Sequence, residues 1–283
     1  MKILVTGYTG QLGYDVVKEG QKQGLTMLGV GKKELNITKE NDVHAYINEL
    51  KPDAIIHCAA YTAVDKAEDQ KEICWDVNVN GTKYLAEAAK EVNAKFMFIS
   101  TDYVYHGEGK TPFIETDLAD PINFYGYSKF EAEKVVRSII LDAFIVRISW
   151  VFGINGNNFI KTMLRLAETH DELNVVGDQI GSPTYTFDLA KLLIDMIQTD
   201  KYGIYHATNE GFCSWAEFAE EIFKQSGKQV KVNAITTEEY PTKAVRPKNS
   251  RMSKRKLIDN GFQPLRPWKE ALNHYLKELN NGV

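Results

Sequence analysis

Two residues able to transfer protons lie four positions apart in the segment YGYSK, which runs from Tyr125 to Lys129. On a helix this spacing places both side chains on one face, one turn apart. A free phenol has a pKa of about 10, so a phenol that reacts near neutral pH needs a shift of about three units, worth about 4 kcal/mol. A neighbouring ammonium favours the phenolate and lowers that pKa. The pair therefore predicts proton transfer between Tyr125 and a substrate oxygen.

A hydroxyl group precedes this pair in the segment STDYVY, which runs from Ser100 to Tyr105. The apolar run before it, residues 96–100, predicts a buried strand. The hydroxyls thus follow the carboxyl end of a parallel strand, where open α/β sheets bind ligands. Either Ser100 or Thr101 would donate a hydrogen bond to a substrate carbonyl. Because a Tyr–Lys pair at this spacing is common, its meaning depends on the elements that position it.

The first of these elements is a glycine turn near the start of the chain. Residues 2–7 (KILVTG) are typical of a buried parallel strand, and GYTGQLG follows with Gly7, Gly10 and Gly13 spaced three apart, before an amphipathic helix. Gly7 allows a tight turn, Gly10 lets the backbone approach a pyrophosphate, and Gly13 lets helix and strand pack closely. Free N–H groups at the helix start would bind the phosphates of a dinucleotide. An ordinary glycine-rich turn is the alternative.

The remaining elements alternate between short apolar strands and helices. Further strands are predicted at residues 26–31, 54–60, 96–100 and 143–149. This alternation predicts an α/β fold with a Rossmann-type doubly wound parallel sheet. After Trp150 the rhythm changes, although an apolar helix at 186–198 is expected to pack on the sheet again. We therefore expect an NAD(P)-binding domain of residues 1–150 with 178–205, and a smaller, discontinuous substrate-binding lobe of residues 151–177 and 206–283.

Composition excludes some classes of function. The chain of 283 residues has a net charge of −4, which argues against non-specific nucleic-acid binding. It has no apolar run of about 18 residues and begins its first strand at once, so neither a membrane span nor a signal peptide is expected. Its three cysteines form no CxxC pair and are expected to be reduced thiols of a cytoplasmic protein. The six histidines show no metal spacing, so no catalytic metal is predicted, while a homodimer and an ion at a subunit contact stay open.

Longer strings of residues make a more specific match than the Tyr–Lys pair. They are AAYTAVDKAE (59–68), STDYVY, YGYSK, VRISWVFG, NNFIKTMLRLA, DQIGSPT and RPKNSRMS, and they span nearly the whole chain. With these strings the sequence resembles the dTDP-4-dehydrorhamnose reductases, a family of extended short-chain dehydrogenases/reductases. The resemblance implies NAD(P)H-dependent reduction of the 4-keto group of dTDP-4-dehydro-L-rhamnose to dTDP-L-rhamnose, a step in nucleotide-sugar biosynthesis for cell-surface polysaccharide.

The resemblance also implies catalytic and cofactor-binding residues. Tyr125 would donate a proton to the C4 oxygen, and Thr101 rather than Ser100 would polarise the carbonyl. Lys129 would lower the pKa of Tyr125 and hold the nicotinamide ribose. The cofactor, NADPH or NADH, would contact Gly7, Gly10, Gln11, Leu12, Gly13, Asn36, Ile37, Ala59, Ala60, Tyr61, Thr62, Tyr125 and Lys129.

Three further residues would bind the substrate together with Thr101. Asp102 would contact the sugar, Trp150 would lie against the substrate, and Arg246 would bind the diphosphate with its planar fork of donors. Each has a simpler structural alternative. Asp102 would merely cap the loop after its strand, Trp150 would be a core anchor, and Arg246 would be a surface cation paired with a glutamate.

The end of the second strand bears on the choice between NADPH and NADH. Proteins selective for NAD commonly place an acidic side chain there, where it binds the ribose 2′-hydroxyl. This strand ends Val30-Gly31-Lys32-Lys33, and Glu34, which follows the two lysines, is expected to lie beyond reach. We therefore expect NADPH to be accepted at least as well as NADH. The alternative is that both lysines are solvated surface charges.

Two other functions stay open. A nucleotide-sugar epimerase or dehydratase has the same fold, but a dehydratase would have an acidic pair after the catalytic hydroxyl, whereas Thr101 is followed by Asp102 and Tyr103. An epimerase would retain tightly bound NAD. A non-catalytic regulatory homologue, like the β subunit of methionine adenosyltransferase, need not keep the catalytic set. Here Tyr125 and Lys129 are both present beside Thr101.

Overall fold

The computed structural model describes residues 1–281, and in this range it has fourteen strands and eleven α-helices. The strands are β1 (Lys2–Thr6), β2 (Thr26–Val30), β3 (Ala54–His57), β4 (Lys95–Thr101), β5 (Ala143–Ile148), β6 (Val151–Phe152), β7 (Glu172–Val176), β8 (Ile180–Gly181), β9 (Thr184–Tyr185), β10 (Gly203–His206), β11 (Asn209–Glu210), β12 (Cys213–Ser214), β13 (Lys231–Ile235) and β14 (Leu265–Pro267). The helices are α1 (Gln11–Lys22), α2 (Glu40–Leu50), α3 (Val64–Ala67), α4 (Lys71–Trp75), α5 (Gly81–Glu91), α6 (Phe124–Ile139), α7 (Phe159–Leu166), α8 (Thr186–Ile197), α9 (Trp215–Ser226), α10 (Arg255–Asp259) and α11 (Trp268–Asn281). A π-helical turn, Asp76–Asn80, joins α4 to α5, and a 3₁₀ turn, Asp102–Val104, follows β4.

Six strands form one parallel sheet in the order β2-β1-β3-β4-β5-β10. Strands β3 and β5 are buried along their whole length, because helices cover both faces of the sheet. This explains why their sequences are mainly apolar, with His57 and Arg147 as the buried polar exceptions. The α/β fold with a Rossmann-type parallel sheet is confirmed. Strand β4 extends to Thr101, so the hydroxyl expected to polarise the carbonyl belongs to the strand itself.

The two faces of the sheet have separate apolar cores. Ile3 of β1 packs with α1 and α8 on one face, whereas Leu4 packs with α2, α5 and α6 on the other. This separation follows from the two-residue period of a strand. Leu257 and Phe262, from the C-terminal part of the chain, also pack in the core that contains α8.

A third core lies among α7, α9 and α11 and contains Phe152, Phe218 and Tyr275. Helix α9 has the boundaries expected from its sequence. The Ser214 side chain caps its start in a capping box with Glu217, and Gly227, in the left-handed conformation, ends it.

The long loop of residues 106–123 has almost no regular structure, as its prolines and glycines predict. It is nevertheless tied to the segment 249–253. The Phe113 N–H donates to the Arg251 carbonyl at 2.9 Å, and the Ser253 N–H donates back to the Phe113 carbonyl at 2.8 Å. The Asn249 amide donates to the carbonyl of Thr111 at 2.9 Å. The segment RPKNSRMS is thereby fixed beside the loop that leads into α6.

The order of the strands in the sheet reverses between β1 and β3. At such a point the connections leave towards opposite faces and open a crevice outside the carboxyl ends of the strands. Ligands of open α/β sheets bind in this crevice.

Two further features bear on the sequence-based expectations. No helix within residues 1–281 is both long and apolar enough to span a bilayer. The three cysteines, Cys58, Cys74 and Cys213, are free thiols.

Candidate active site

A cavity of about 1010 Å³ runs along the carboxyl ends of the sheet strands. This volume is at the upper end of the range of small-molecule sites, about 300–1,000 Å³, and suits a large ligand. Every residue predicted to contact the cofactor lines it, namely Gly7, Gly10, Gln11, Leu12, Gly13, Asn36, Ile37, Ala59, Ala60, Tyr61, Thr62, Tyr125 and Lys129. Thr101, Asp102 and Trp150 also line the cavity, whereas Arg246 does not.

The glycine turn between β1 and α1 forms one end of the cavity. Gly7 has a φ of +70°, and a Cβ there would lie 2.7 Å from the backbone N of Ala59. A Cβ on Gly13 would lie 2.5 Å from the carbonyl oxygen of Gly7, so both positions require glycine. No side chain caps the first N–H groups of α1. This backbone, with its free N–H groups, fits the pyrophosphate of a dinucleotide.

The loop between β6 and α7 holds the glycine turn in place. Oε1 of Gln11 accepts hydrogen bonds from the Gly153 N–H at 2.9 Å and from the Asn158 amide at 3.2 Å. The Asn155 amide donates to the carbonyl of Thr9 at 2.9 Å. The Gln11 side chain therefore has a structural partner on the C-terminal side of the chain.

Glu34 is bound to the backbone at the end of β2. Its Oε2 accepts a hydrogen bond from the Gly31 N–H at 2.9 Å, and Glu34 does not line the cavity. Lys32 lines the cavity at the same place. A cation therefore lines the cavity where the adenosine ribose of a dinucleotide lies in Rossmann-type folds, and the Glu34 carboxylate is bound at the same strand end.

The start of α6 is fixed by two local features. Oδ1 of Asn123 accepts from the Gly126 N–H at 2.8 Å and caps the helix. A Cβ on Gly126 would lie 2.1 Å from the carbonyl oxygen of Tyr103, so only glycine lets α6 approach the turn after β4 this closely. Tyr125 is thereby brought beside Thr101.

Tyr125 is partly buried in the cavity wall, with its ring 5.7 Å from that of Tyr103. Burial raises the pKa of Tyr125, the charge of Asp102 raises it further, and a hydrogen bond with Thr101 opposes the shift. The phenol therefore keeps its proton at neutral pH. This is the form that a proton donor needs.

The Lys129 ammonium contacts the backbone of β4. Its Nζ donates to the Ile99 carbonyl at 2.7 Å and lies 4.0 Å from the centroid of the Phe98 ring. Burial lowers the pKa of Lys129 to about 7, while the charge of Glu133 raises it. The pKa of Tyr125 is therefore raised and not lowered as expected, because burial outweighs the other influences on the phenol.

The two hydroxyls at the end of β4 have different surroundings. Ser100 Oγ donates to Glu133 at 2.5 Å, away from the reaction chemistry. Thr101 Oγ1 donates to Oδ1 of Asp102 at 3.0 Å and lies beside Tyr125. Thr101, not Asp102, caps the 3₁₀ turn by accepting from the Tyr103 N–H.

Asp102 is 3% exposed, and its Oδ2 has no hydrogen-bond partner among the described residues. Burial raises the pKa of this carboxyl to about 6, while the nearby hydroxyls of Ser250 and Thr101 act to lower it. A buried acceptor without a partner at a cavity wall can bind a hydroxyl group of a ligand.

A family model described as the RmlD substrate binding domain matches residues 1–281. The chain belongs to this family. The family expected from the sequence strings is thereby confirmed.

Similar proteins agree with this family. The dTDP-4-dehydrorhamnose reductase of Aggregatibacter actinomycetemcomitans is 43% identical over 96% of this chain and 97% of that protein. The crystal structure of a dTDP-4-dehydrorhamnose reductase from Clostridium acetobutylicum has a TM-score of 0.97 and 44% identity, covering 99% of this chain and 100% of that one. The Bacillus anthracis dTDP-4-dehydrorhamnose reductase in complex with NADP has a TM-score of 0.95 and 41% identity, covering 98% and 100%.

In this member of the RmlD substrate binding domain family, Trp150 has a partner that the sequence did not reveal. The Trp150 ring stacks on Trp215 with a centroid separation of 3.7 Å and an angle of 15°, and both line the cavity. Trp150 has a φ of +48°, an uncommon conformation for a bulky residue. It is thus both packed and in contact with the cavity. The sequence did place Trp215 at the start of a helix, directly after the capping residue Ser214, and this was the feature that could have indicated it.

The Arg246 side chain does not line the cavity and is paired with a carboxylate instead. Its guanidinium forms a two-point ion pair with Asp65, at 3.0 and 2.6 Å. The alternative of a paired cation therefore describes its surroundings, although the partner is an aspartate and not a glutamate. Burial raises the pKa of Tyr103, which lines the cavity, and the charge of Arg246 opposes this shift.

One cluster of side chains with metal-ligating groups lies outside the cavity. Within the described residues, ligand atoms of Glu40, His44 and Glu87 lie within 4.8 Å of one another across α2 and α5. None of the three lines the cavity. Histidine spacing along the sequence did not reveal this juxtaposition, because Glu87 comes from a second helix.

Proposed function

We propose that the protein reduces the 4-keto group of dTDP-4-dehydro-L-rhamnose with NAD(P)H, giving dTDP-L-rhamnose for cell-surface polysaccharide. This proposal rests on one observation: Thr101, Tyr125 and Lys129 line the same cavity as a glycine turn of the type that binds dinucleotides. Two similar proteins named dTDP-4-dehydrorhamnose reductase, one of them in complex with NADP, support the substrate and the cofactor.

The cavity residues divide the chemistry of ketone reduction between them. Bound NAD(P)H supplies the hydride that the C4 carbon accepts. Tyr125 donates its proton to the C4 oxygen, which becomes the product hydroxyl, and the phenolate regains a proton from solvent. Thr101 donates a hydrogen bond to the same oxygen and stabilises its developing charge. Asp102 accepts a hydrogen bond from a sugar hydroxyl, and the Lys129 ammonium binds the ribose of the cofactor.

The division of the chain that we propose follows this chemistry. Residues 1–150 with 178–205 bind the cofactor, and residues 151–177 and 206–283 bind the substrate. The position of Trp215 on the cavity supports a contribution from the second part. We also propose a cytoplasmic location, which the free thiols favour.

The test is to mix the purified protein with dTDP-4-dehydro-L-rhamnose and NADPH or NADH and to follow the cofactor absorbance. A fall that depends on the sugar, with a dTDP-L-rhamnose product, is expected. Tightly bound NAD in the purified protein, without net oxidation of added NADPH, would identify an epimerase instead. Binding of both ligands without turnover would identify a regulatory homologue.

A further inference from the structure

A buried charged network lies behind the catalytic face of α6. Glu133, one helical turn after Lys129, is 1% exposed, and Arg147 on β5 is 3% exposed. Nε and Nη2 of Arg147 donate to the two carboxylate oxygens of Glu133 at 2.9 and 2.6 Å. Ser100 Oγ donates to the same carboxylate at 2.5 Å. One carboxylate therefore joins β5 to α6 and β4, the two elements that carry the candidate catalytic residues.

We propose that Glu133 is a positioning residue, whose carboxylate fixes the end of β4 that carries Thr101 and supplies a negative charge one helical turn from the Lys129 ammonium. The proposal rests on the proposed reductase function. Glu133 does not line the cavity, so it acts through Lys129 and Ser100 and not on the substrate. Its position four residues after Lys129 places the two side chains on the same face of the helix.

The groups around Lys129 explain why a negative charge is needed there. Burial lowers the pKa of Lys129, and the charges that oppose this shift are Glu133 on α6, Cys58 directly after β3 and Cys74 on α4. Burial raises the pKa of both thiols, that of Cys58 to about 12, so they are neutral near pH 7. Burial keeps His57 on β3 neutral as well, with a pKa of about 3. Because both thiols are neutral near pH 7, Glu133 is the group of these three that carries a negative charge near Lys129.

Arg147 offers a matched test because it carries the opposite charge of the same pair. Glu133→Gln removes the negative charge and leaves the Arg147 guanidinium uncompensated, and both effects favour the neutral amine of Lys129. Arg147→Gln leaves the carboxylate uncompensated and favours the ammonium. A pair with a purely structural role would lose stability in both variants and shift the titration of Lys129 in neither.

The experiment measures NADH affinity by fluorescence between pH 5 and 9 in the wild type and both variants. NADH is used because it lacks the 2′-phosphate, which titrates in this range. We expect the midpoint at which affinity falls to move down by about one pH unit in Glu133→Gln and up in Arg147→Gln. The alkaline limb of kcat/KM should move in the same directions. Glu131→Gln, which removes an equal charge from the solvent side of α6, where Glu131 pairs with Lys134, should leave the midpoint unchanged.

The double variant Glu133→Leu/Arg147→Met is the control for loss of folding, because an apolar pair often replaces a buried ion pair at little cost in stability. Its midpoint should lie between those of the two single variants, because the two charges that it removes act on Lys129 in opposite directions. Shifts of equal sign in the two single variants, or no shift in either, would overturn the proposal. Because NADH binding needs no sugar, absence of sugar reduction by the wild type would count against the proposed function alone.

Discussion

Burial decides the protonation states of single residues in the candidate active site. It raises the pKa of Tyr125 and so keeps the proton that ketone reduction requires. It lowers the pKa of Lys129 to about 7, so the ammonium is favoured below that pH and lost above it. It raises the pKa of Asp102 to about 6. In all three residues the charged form is costly to bury, so burial shifts the pKa in the direction that favours the neutral form.

Replacing Tyr125 by phenylalanine should remove the proton donor and retain the packing of the ring. We expect kcat to fall by about 10²- to 10⁴-fold, with NADPH affinity nearly unchanged. Steady-state kinetics and fluorescence titration measure the two quantities. Tyr127→Phe is the matched control, because this exposed tyrosine on the same helix does not line the cavity. Turnover near the wild-type level in Tyr125→Phe would exclude this tyrosine as the donor.

Replacing Asp102 by asparagine should stabilise the fold in a pH-dependent way. The carboxyl has a pKa of about 6 in the folded protein and 3.8 as its ordinary value, so the folded state holds its proton more tightly. Stability is therefore lost between about pH 4 and 6 as pH rises. Asp102→Asn should be more stable than the wild type by about 2–3 kcal/mol at pH 8, with little difference near pH 3.5.

Urea unfolding at several pH values measures this difference. The same variant should lose sugar reduction, because the acceptor proposed for a sugar hydroxyl is replaced. Equal stability of the two proteins at pH 8 would show that burial of the charged Asp102 carboxylate does not destabilise the fold.

At the scale of elements, strand ends and helix starts place the reacting groups. The carboxyl end of β4 supplies Thr101, and the capped start of α6 supplies Tyr125 one residue after its first position. The end of β2 holds both Lys32 and the carboxylate of Glu34. This pairing of opposite charges bears on cofactor choice, since a cation favours a 2′-phosphate and a carboxylate favours a 2′-hydroxyl.

Changing the charges at the end of β2 should shift cofactor preference in opposite directions. Lys32→Ala should lower kcat/KM for NADPH about tenfold and leave NADH nearly unaffected, because a solvent-exposed cation gives a modest contact to phosphate. Glu34→Gln should favour NADPH over NADH. The ratio of kcat/KM for the two cofactors is the measurement, and Lys33→Ala, an exposed lysine that does not line the cavity, is the control. An unchanged ratio in both Lys32→Ala and Glu34→Gln would contradict this assignment.

At the scale of the whole molecule, the cavity is completed by residues far apart in sequence. Trp150, after the sheet strand β5, stacks on Trp215, at the start of α9. The long loop before α6 is tied to the segment around Asn249, and Arg246 in that segment pairs with Asp65. These contacts join the part of the chain that carries the glycine turn to the part that follows Trp150.

Removing the Trp215 ring should weaken sugar binding and spare cofactor binding. We expect Trp215→Ala to raise KM for the dTDP-sugar about tenfold, since a stacked aromatic pair contributes about 0.5–1.5 kcal/mol beyond its buried area. NADH affinity should stay unchanged. Trp75→Ala is the control, because Trp75 packs against Tyr127 outside the cavity. A loss of cofactor affinity in Trp215→Ala, with no change in KM for the sugar, would reverse the proposed assignment.

The sequence by itself determined the glycine turn, the alternation of strands and helices, and the one-turn spacing of Tyr125 and Lys129. These features are local, because backbone sterics and hydrophobic periodicity act within a few residues. Only the tertiary structure decided which partners the charged groups have and how deeply they are buried. Asp65 and Arg246 are 181 positions apart, so no spacing along the chain could reveal their pairing. Protonation follows from burial by such distant segments, which is why local reasoning gave the Tyr125 pKa the wrong direction.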